Sequence, residues 1–182
     1  MIKRNLPSQP EFGKVCFAMK CRALTTSCII VFFLFSPFSA IKAFSQPLPP
    51  FKMTLTNNTV FDITETPKGK PIVLIYFDPD CDHCQRLMDT LFRKINEFNK
   101  AEIVMASFKP LDELPAFEKK YSTAKYQNVR VGTENRIFYL RMYFDVATLP
   151  FTALYDKKRN LNHLYKDGTP VNDLVKRLKS MR

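Results

Sequence analysis

Two cysteines separated by two residues, in Cys81-Asp82-His83-Cys84, carry more chemistry than any other short segment of this 182-residue chain. One turn of helix brings thiols at that spacing close enough to bond. Such a pair can pass between dithiol and disulfide by exchange with the sulfurs of another protein. A helix N-terminus at the pair favours negative charge, which raises the thiolate fraction of the first thiol. The first cysteine of such a site is expected to be accessible and the second to be covered by the helix. Cys81 is therefore the expected nucleophile, and Cys84 the resolving thiol that attacks the mixed disulfide. A passive structural disulfide is the bland alternative, but a loop this short contributes little chain-entropy stabilisation. Zinc usually takes four ligands, and only His83 and His163 could join the two thiols. His83 lies between the cysteines, where chelating the same ion is awkward, so no metal site is expected. His163 is read as a strand residue without a ligand role.

The flanking residues supply what such a pair needs. Ile72 to Phe77 (IVLIYF) is a continuous apolar, β-branched run bounded by Pro71 and Pro79, which predicts a strand buried on both faces. A helix is expected from Asp82 to Asn99, with Leu87, Met88, Leu91, Phe92, Ile95 and Phe98 on one face. Glu102 to Phe108 predicts a second buried strand, Pro110 to Tyr121 a short helix, Val129 to Val131 a short strand, and Glu134 to Phe144 an aromatic-rich helix. Ahead of these, Met53 to Asp62 predicts a hairpin turning at Asn57-Asn58. Behind them, Phe151 to Tyr155 and Leu161 to Tyr165 predict a second hairpin. Thr169 is expected to cap a last helix with Pro170 in its first turn. The alternation implies an α/β layer structure with a mixed central sheet flanked by helices.

The other three cysteines fall in a segment of different character. Ala23 to Ile41 carries no charged side chain, its densest stretch is Cys28 to Phe35, and Lys3, Arg4, Lys14, Lys20 and Arg22 precede it. A basic start and a short apolar run mark an export signal, expected over residues 1–45 with cleavage after Ser45. Met19 would itself start a signal of ordinary length, and an uncleaved N-terminal anchor is the alternative. Residues 46–51 (QPLPPF) are expected to be a linker, and residues 52–182 the folded domain. Without the leader only Cys81 and Cys84 remain, and the formal charge falls from +11 to about +6, with 22 basic and 16 acidic residues. The basic residues form no block, so a solvated basic surface is expected and no nucleic-acid site. A hydrophobic content of 46% excludes a disordered chain, and 4 glycines exclude a collagen-like one.

Residues 51–182 resemble the thioredoxin superfamily, and within it the exported TlpA-like thiol–disulfide oxidoreductases. The resemblance rests on Lys68-Gly69-Lys70-Pro71, on Phe77-Asp78-Pro79-Asp80-Cys81-Asp82-His83-Cys84, and on Thr148-Leu149-Pro150-Phe151-Thr152. It implies a thioredoxin-like fold with an insertion, within residues 110–144, between the active-site half and the closing hairpin. It also implies a cis proline at Pro150 facing the thiols, with Leu149 and Pro150 presenting backbone to an extended substrate segment. Asp80 stands where the family commonly has Trp. Ile75 stands where thioredoxin has a buried acid, which leaves proton transfer at Cys84 to water or to Asp82. His83 resembles the histidine of strongly oxidising Cys-Pro-His-Cys enzymes, whose partial positive charge stabilises the thiolate. Asp78, Asp80 and Asp82 oppose it by like-charge repulsion. These signs conflict and leave the redox direction open. A peroxiredoxin would need Pro and Thr where Leu74 and Asp78 stand, and a Sco-like copper protein three residues between its cysteines.

The residues and the resemblance together imply disulfide exchange with protein substrates in an exported compartment, most simply the periplasm. Reduction is favoured, with a membrane thiol reductase as electron donor and no organic cofactor or metal. The rival reading is a binding module on the same fold, either a copper carrier or a redox-inert adaptor. The aromatics Phe138, Tyr139, Tyr143 and Phe144 are expected to belong to the core.

Overall fold

The computed structural model describes residues 46–181, so the expected leader over residues 1–45 lies outside the described residues. Among the described residues, seven strands form a single mixed sheet in the order β2-β1-β5-β4-β3-β6-β7. The central strands are β3 (Ile72–Phe77), β4 (Glu102–Ser107) and β5 (Val129–Thr133), all parallel. On one side β6 (Phe151–Tyr155) runs antiparallel to β3 and is followed by β7 (Leu161–Tyr165). On the other side β1 (Lys52–Leu55) runs antiparallel to β5 and pairs with β2 (Val60–Asp62).

Every residue of β3 and β4 is buried, as continuous apolar runs require when helices cover both faces of a sheet. Alternate β3 residues therefore serve two cores. Val73, Ile75 and Phe77 pack against α1 (Asp82–Arg93), α2 (Leu114–Tyr121) and α4 (Val171–Ser180). Ile72, Leu74 and Tyr76 pack with Phe51, Phe61 and Ile63 and with α3 (Tyr139–Phe144). The one buried charge in β4, Glu102, is answered at 2.7 Å by the Lys70 ammonium. The turn between β1 and β2 follows the expected chemistry: Asn58 has φ +64°, and the Asn57 carboxamide accepts from the Thr59 N–H and hydroxyl.

Several expected elements differ in detail. The helix expected to reach Asn99 ends at Arg93, because Lys94 (φ −111°, ψ 19°) leaves helical geometry. A 3-10 turn, Ile95–Phe98, then brings Ile95 and Phe98 into the core. The helix expected from Pro110 opens as a 3-10 turn over Leu111–Glu113, and its α-helical part starts at Leu114 with Pro115 in the first turn. The helix expected over Glu134 to Phe144 is broken at Phe138, which has φ +53°. Here the buried Glu134 side chain accepts the Leu140 N–H at 3.1 Å and so takes over the task of starting α3. Finally, Thr169 does not cap α4. Pro170 holds the cap position without a side-chain bond, and the Thr169 hydroxyl donates to Thr152 Oγ1 at 2.7 Å.

Of the four aromatics assigned to the core, Phe144 is buried while Phe138, Tyr139 and Tyr143 are half-buried. Residues 46–51 lie along the domain. Pro47 forms a bridge to Asn160, and its carbonyl accepts from the Tyr143 hydroxyl at 2.7 Å and the Tyr155 hydroxyl at 3.2 Å. Phe51 is buried in the second core.

Candidate active site

β3 ends at Phe77, and the chain turns through Asp78-Pro79-Asp80 into α1. The turn is self-bonded: Asp78 Oδ1 accepts the Asp80 N–H at 2.9 Å, and the Asp78 carbonyl accepts the Cys81 N–H at 3.2 Å. The Gln85 side chain reaches back from α1 to the Pro79 carbonyl at 3.0 Å. Cys81 occupies the cap position of α1 with extended backbone (φ −80°, ψ 122°), and its side chain makes no capping hydrogen bond to that helix start. The dipole of the helix therefore acts on the sulfur of Cys81.

The two cysteines are free thiols with different surroundings. Cys81 is half-buried, whereas Cys84, one turn on, is 1% exposed. Burial pushes the Cys84 thiol up to about 12; the Asp78 backbone N–H offsets this in part, while Cys81 and the Asp78 carboxylate add to it. The asymmetry expected of an accessible nucleophile and a covered resolving thiol is the arrangement found.

The Leu149–Pro150 peptide is cis, and Cys81 Sγ lies 4.0 Å from the Leu149 carbonyl oxygen. The structure thus brings together Cys81, Cys84, Leu149 and Pro150. Asp82 and His83, expected to tune the thiols, are both exposed. His83 lines a groove of about 320 Å³ with Arg86, Leu87, Thr90, Pro150 and Thr169, between α1 and the start of α4. His163 lies apart in β7, with its ring 4.4 Å from that of Tyr165. Among the described residues, no group of three His, Cys, Asp or Glu side chains is placed to hold a metal ion. Ile75, in the place of the buried acid, lies in the core between Met105 and Thr152.

Lys109 is the site residue that motif reading missed. Its ammonium lies 2.8 Å from Asp80, 3.2 Å from Glu113 and 3.8 Å from Asp78, so it counters the acids that were expected to oppose the thiolate. Asp80 and Glu113 together hold the ammonium strongly in its charged form. The backbone of Lys109 is fixed as well: its N–H donates to Ser107 Oγ at 3.1 Å, and its carbonyl accepts the Thr133 hydroxyl at 2.6 Å. A signal did exist. β3 and β4 are parallel with Phe77 opposite Ser107, which sets residue 109 beside the turn that follows Phe77.

Comparison with known proteins places this geometry. The chain is similar in structure to dsbF from MTB, at 18% identity and TM-score 0.61, over 73% of this chain and 96% of that one. It is also similar to a secreted Mycobacterium tuberculosis disulfide oxidoreductase homologous to E. coli DsbE, at 17% identity and TM-score 0.60, over 72% and 96%. A third likeness is to a peroxiredoxin-like protein from Aquifex aeolicus, at 13% identity and TM-score 0.61, over 76% and 86%. At these identities the likeness establishes the thioredoxin-like fold. A search of curated proteins finds no match. The AhpC/TSA family model matches residues 44–177, a span that holds β1 through most of α4, both cysteines and the cis proline, and the chain belongs to that family, within the thioredoxin superfamily.

Proposed function

We propose that this protein is a protein thiol–disulfide oxidoreductase of an exported compartment, similar to the TlpA-like enzymes, which reduces its substrates through Cys81 and Cys84. The observation that carries the reading is the pairing of a half-buried Cys81 at a helix start, 4.0 Å from the Leu149 carbonyl, with a buried Cys84 one turn away. In the reaction, the Cys81 thiolate attacks a substrate disulfide and releases one substrate thiol. A mixed disulfide remains, and Cys84 attacks its Cys81 sulfur to free the second thiol. Leu149 and Pro150 offer backbone against which an extended substrate segment lies. The oxidised pair is then reset by another thiol protein, for which a membrane thiol reductase is the natural donor if residues 1–45 direct export. Leu74 and Asp78, in place of the Pro and Thr of a peroxidatic cysteine, favour exchange with proteins over reduction of peroxides.

Replacing Cys84 by Ser tests this directly. The variant is expected to accumulate mixed disulfides with exported proteins through Cys81, and none when Cys81 is also replaced. Equilibration of the wild type with glutathione is expected to give a potential nearer to about −270 mV than to about −120 mV. An absence of exchange, with stoichiometric copper binding in its place, would overturn the reading in favour of a binding module.

A further inference from the structure

Arg86 is exposed on α1, one turn after Asp82. Among the described residues its guanidinium nevertheless takes part in no ion pair and no hydrogen bond. His83, three residues earlier, is exposed and unpartnered in the same way. Both side chains line the groove of about 320 Å³ between α1 and the start of α4. Two unanswered donors on one wall of one groove are an arrangement that the exchange of sulfurs does not itself require.

The rest of the lining is apolar or already satisfied. Leu87, Pro150 and Val171 are buried and offer the groove carbon surface. The Thr90 hydroxyl donates to the Arg86 carbonyl at 3.0 Å, and the Thr169 hydroxyl to Thr152 Oγ1 at 2.7 Å. No acid lines the groove. The charged contact left for a ligand is therefore cationic, and a guanidinium can hold a carboxylate by two parallel hydrogen bonds. Pro150 ties the groove to the reactive sulfur, because the carbonyl that precedes it, that of Leu149, lies 4.0 Å from Cys81 Sγ. The turn ahead of Cys81 has the other sign: Asp78, Asp80 and Glu113 gather there around the single ammonium of Lys109. An acidic side chain beside the attacked cysteine is thus repelled on one flank and drawn to the other.

We infer that this groove receives a side chain of the bound substrate segment and that Arg86 selects a carboxylate there, so that preferred substrates carry Asp or Glu close to the cysteine attacked by Cys81. Arg86 follows Cys81 by five residues. That is about 7.5 Å along a helix. An extended segment covers such a distance in two or three residues at about 3.3 Å each, which places the acid two or three positions from the substrate cysteine. The apolar surface of Leu87, Pro150 and Val171 shields the contact from water, so it is screened less than an ion pair on an open surface. The inference names a substrate class for the proposed exchange reaction and rests on that reading, but its test separates the two.

Dimeric peptide disulfides, capped at both ends and carrying Glu, Gln or Lys two residues before or after the cysteine, provide the test. The rate constant for reduction of each by the reduced protein is read by chromatography after acid quenching and normalised to its reduction by dithiothreitol. In one of the two sets the wild type is expected to reduce the Glu peptide about 5- to 10-fold faster than the Lys peptide, with Gln between them and the gap narrowing as salt is added. Arg86→Glu is expected to reverse that order. Lys100→Glu makes the same change of charge ahead of β4, at the end of the sheet away from the cysteines, and is expected to leave the order in place. Equal wild-type rates for the three peptides in both sets overturn the inference. So does an order that survives Arg86→Glu, or one that Lys100→Glu abolishes equally, since net charge would then carry it. A wild type that fails to reduce even the Gln peptides would instead sink the exchange reaction itself.

Discussion

Glu134 shows how one buried carboxylate organises its surroundings. It is 3% exposed, accepts the Leu140 N–H, and faces the Tyr76 hydroxyl across the core without completing a regular hydrogen bond. Burial raises its proton affinity above that of an ordinary carboxylate, and the Leu140 and Tyr76 contacts recover part of the cost. The native state therefore binds this proton more tightly than the unfolded chain does. Its contribution to stability is complete below about pH 4.5 and is lost as pH rises through the elevated native value. Glu134→Gln keeps the acceptor for Leu140 and removes the charge. Urea denaturation is expected to show the variant more stable than wild type by on the order of 1 kcal/mol at pH 8, and level with it near pH 4. At this scale legibility followed chemistry. Cys81, Cys84 and Pro150 stand in short motifs with a mechanical meaning, whereas Lys109 and Glu134 look like ordinary charged residues until strand pairing shows what they face.

The strands were the elements most legible in the sequence, and β6 and β7 span Phe151–Tyr155 and Leu161–Tyr165 as expected. β3 spans Ile72–Phe77 as expected, and β4 stops one residue short, at Ser107. Helix ends were less legible, because backbone groups outside the pattern decide them: the turn at Lys94 ends α1, and the Glu134 carboxylate starts α3. β5 runs two residues past Val131, and Gly132 makes this extension possible. A Cβ there would meet the Thr54 carbonyl oxygen at 2.6 Å and Met53 at 3.1 Å, so only glycine lets β1 close against β5. Gly132→Ala is expected to destabilise the fold by about 2–3 kcal/mol, the cost of overpacking against backbone that cannot yield, read as a lower urea midpoint. Amide exchange should rise first in β1 and β2, the strands that depend on this closure.

Considered whole, the domain has two unlike ends. The carboxyl ends of β3 and β4 and the start of β6 carry Cys81, the cis proline and Lys109. The turn between β6 and β7 lies at the other end, where Tyr155 stands opposite Ile72, and Pro47 is fastened there by Asn160, Tyr143 and Tyr155. A folded tag joined ahead of Gln46 is therefore expected to leave the rates of thiol–disulfide exchange at Cys81 and of release by Cys84 unchanged within about twofold. A large drop in either would place the tag near the cysteines and contradict this arrangement. The fastening of Pro47 has a mechanical consequence. It makes residue 47 the point where a pull from upstream chain enters the fold, about one strand length, or roughly 20 Å, from the thiols. A tether joined there would load the end of the domain opposite Cys81 and would leave the thiols clear of its path to partners.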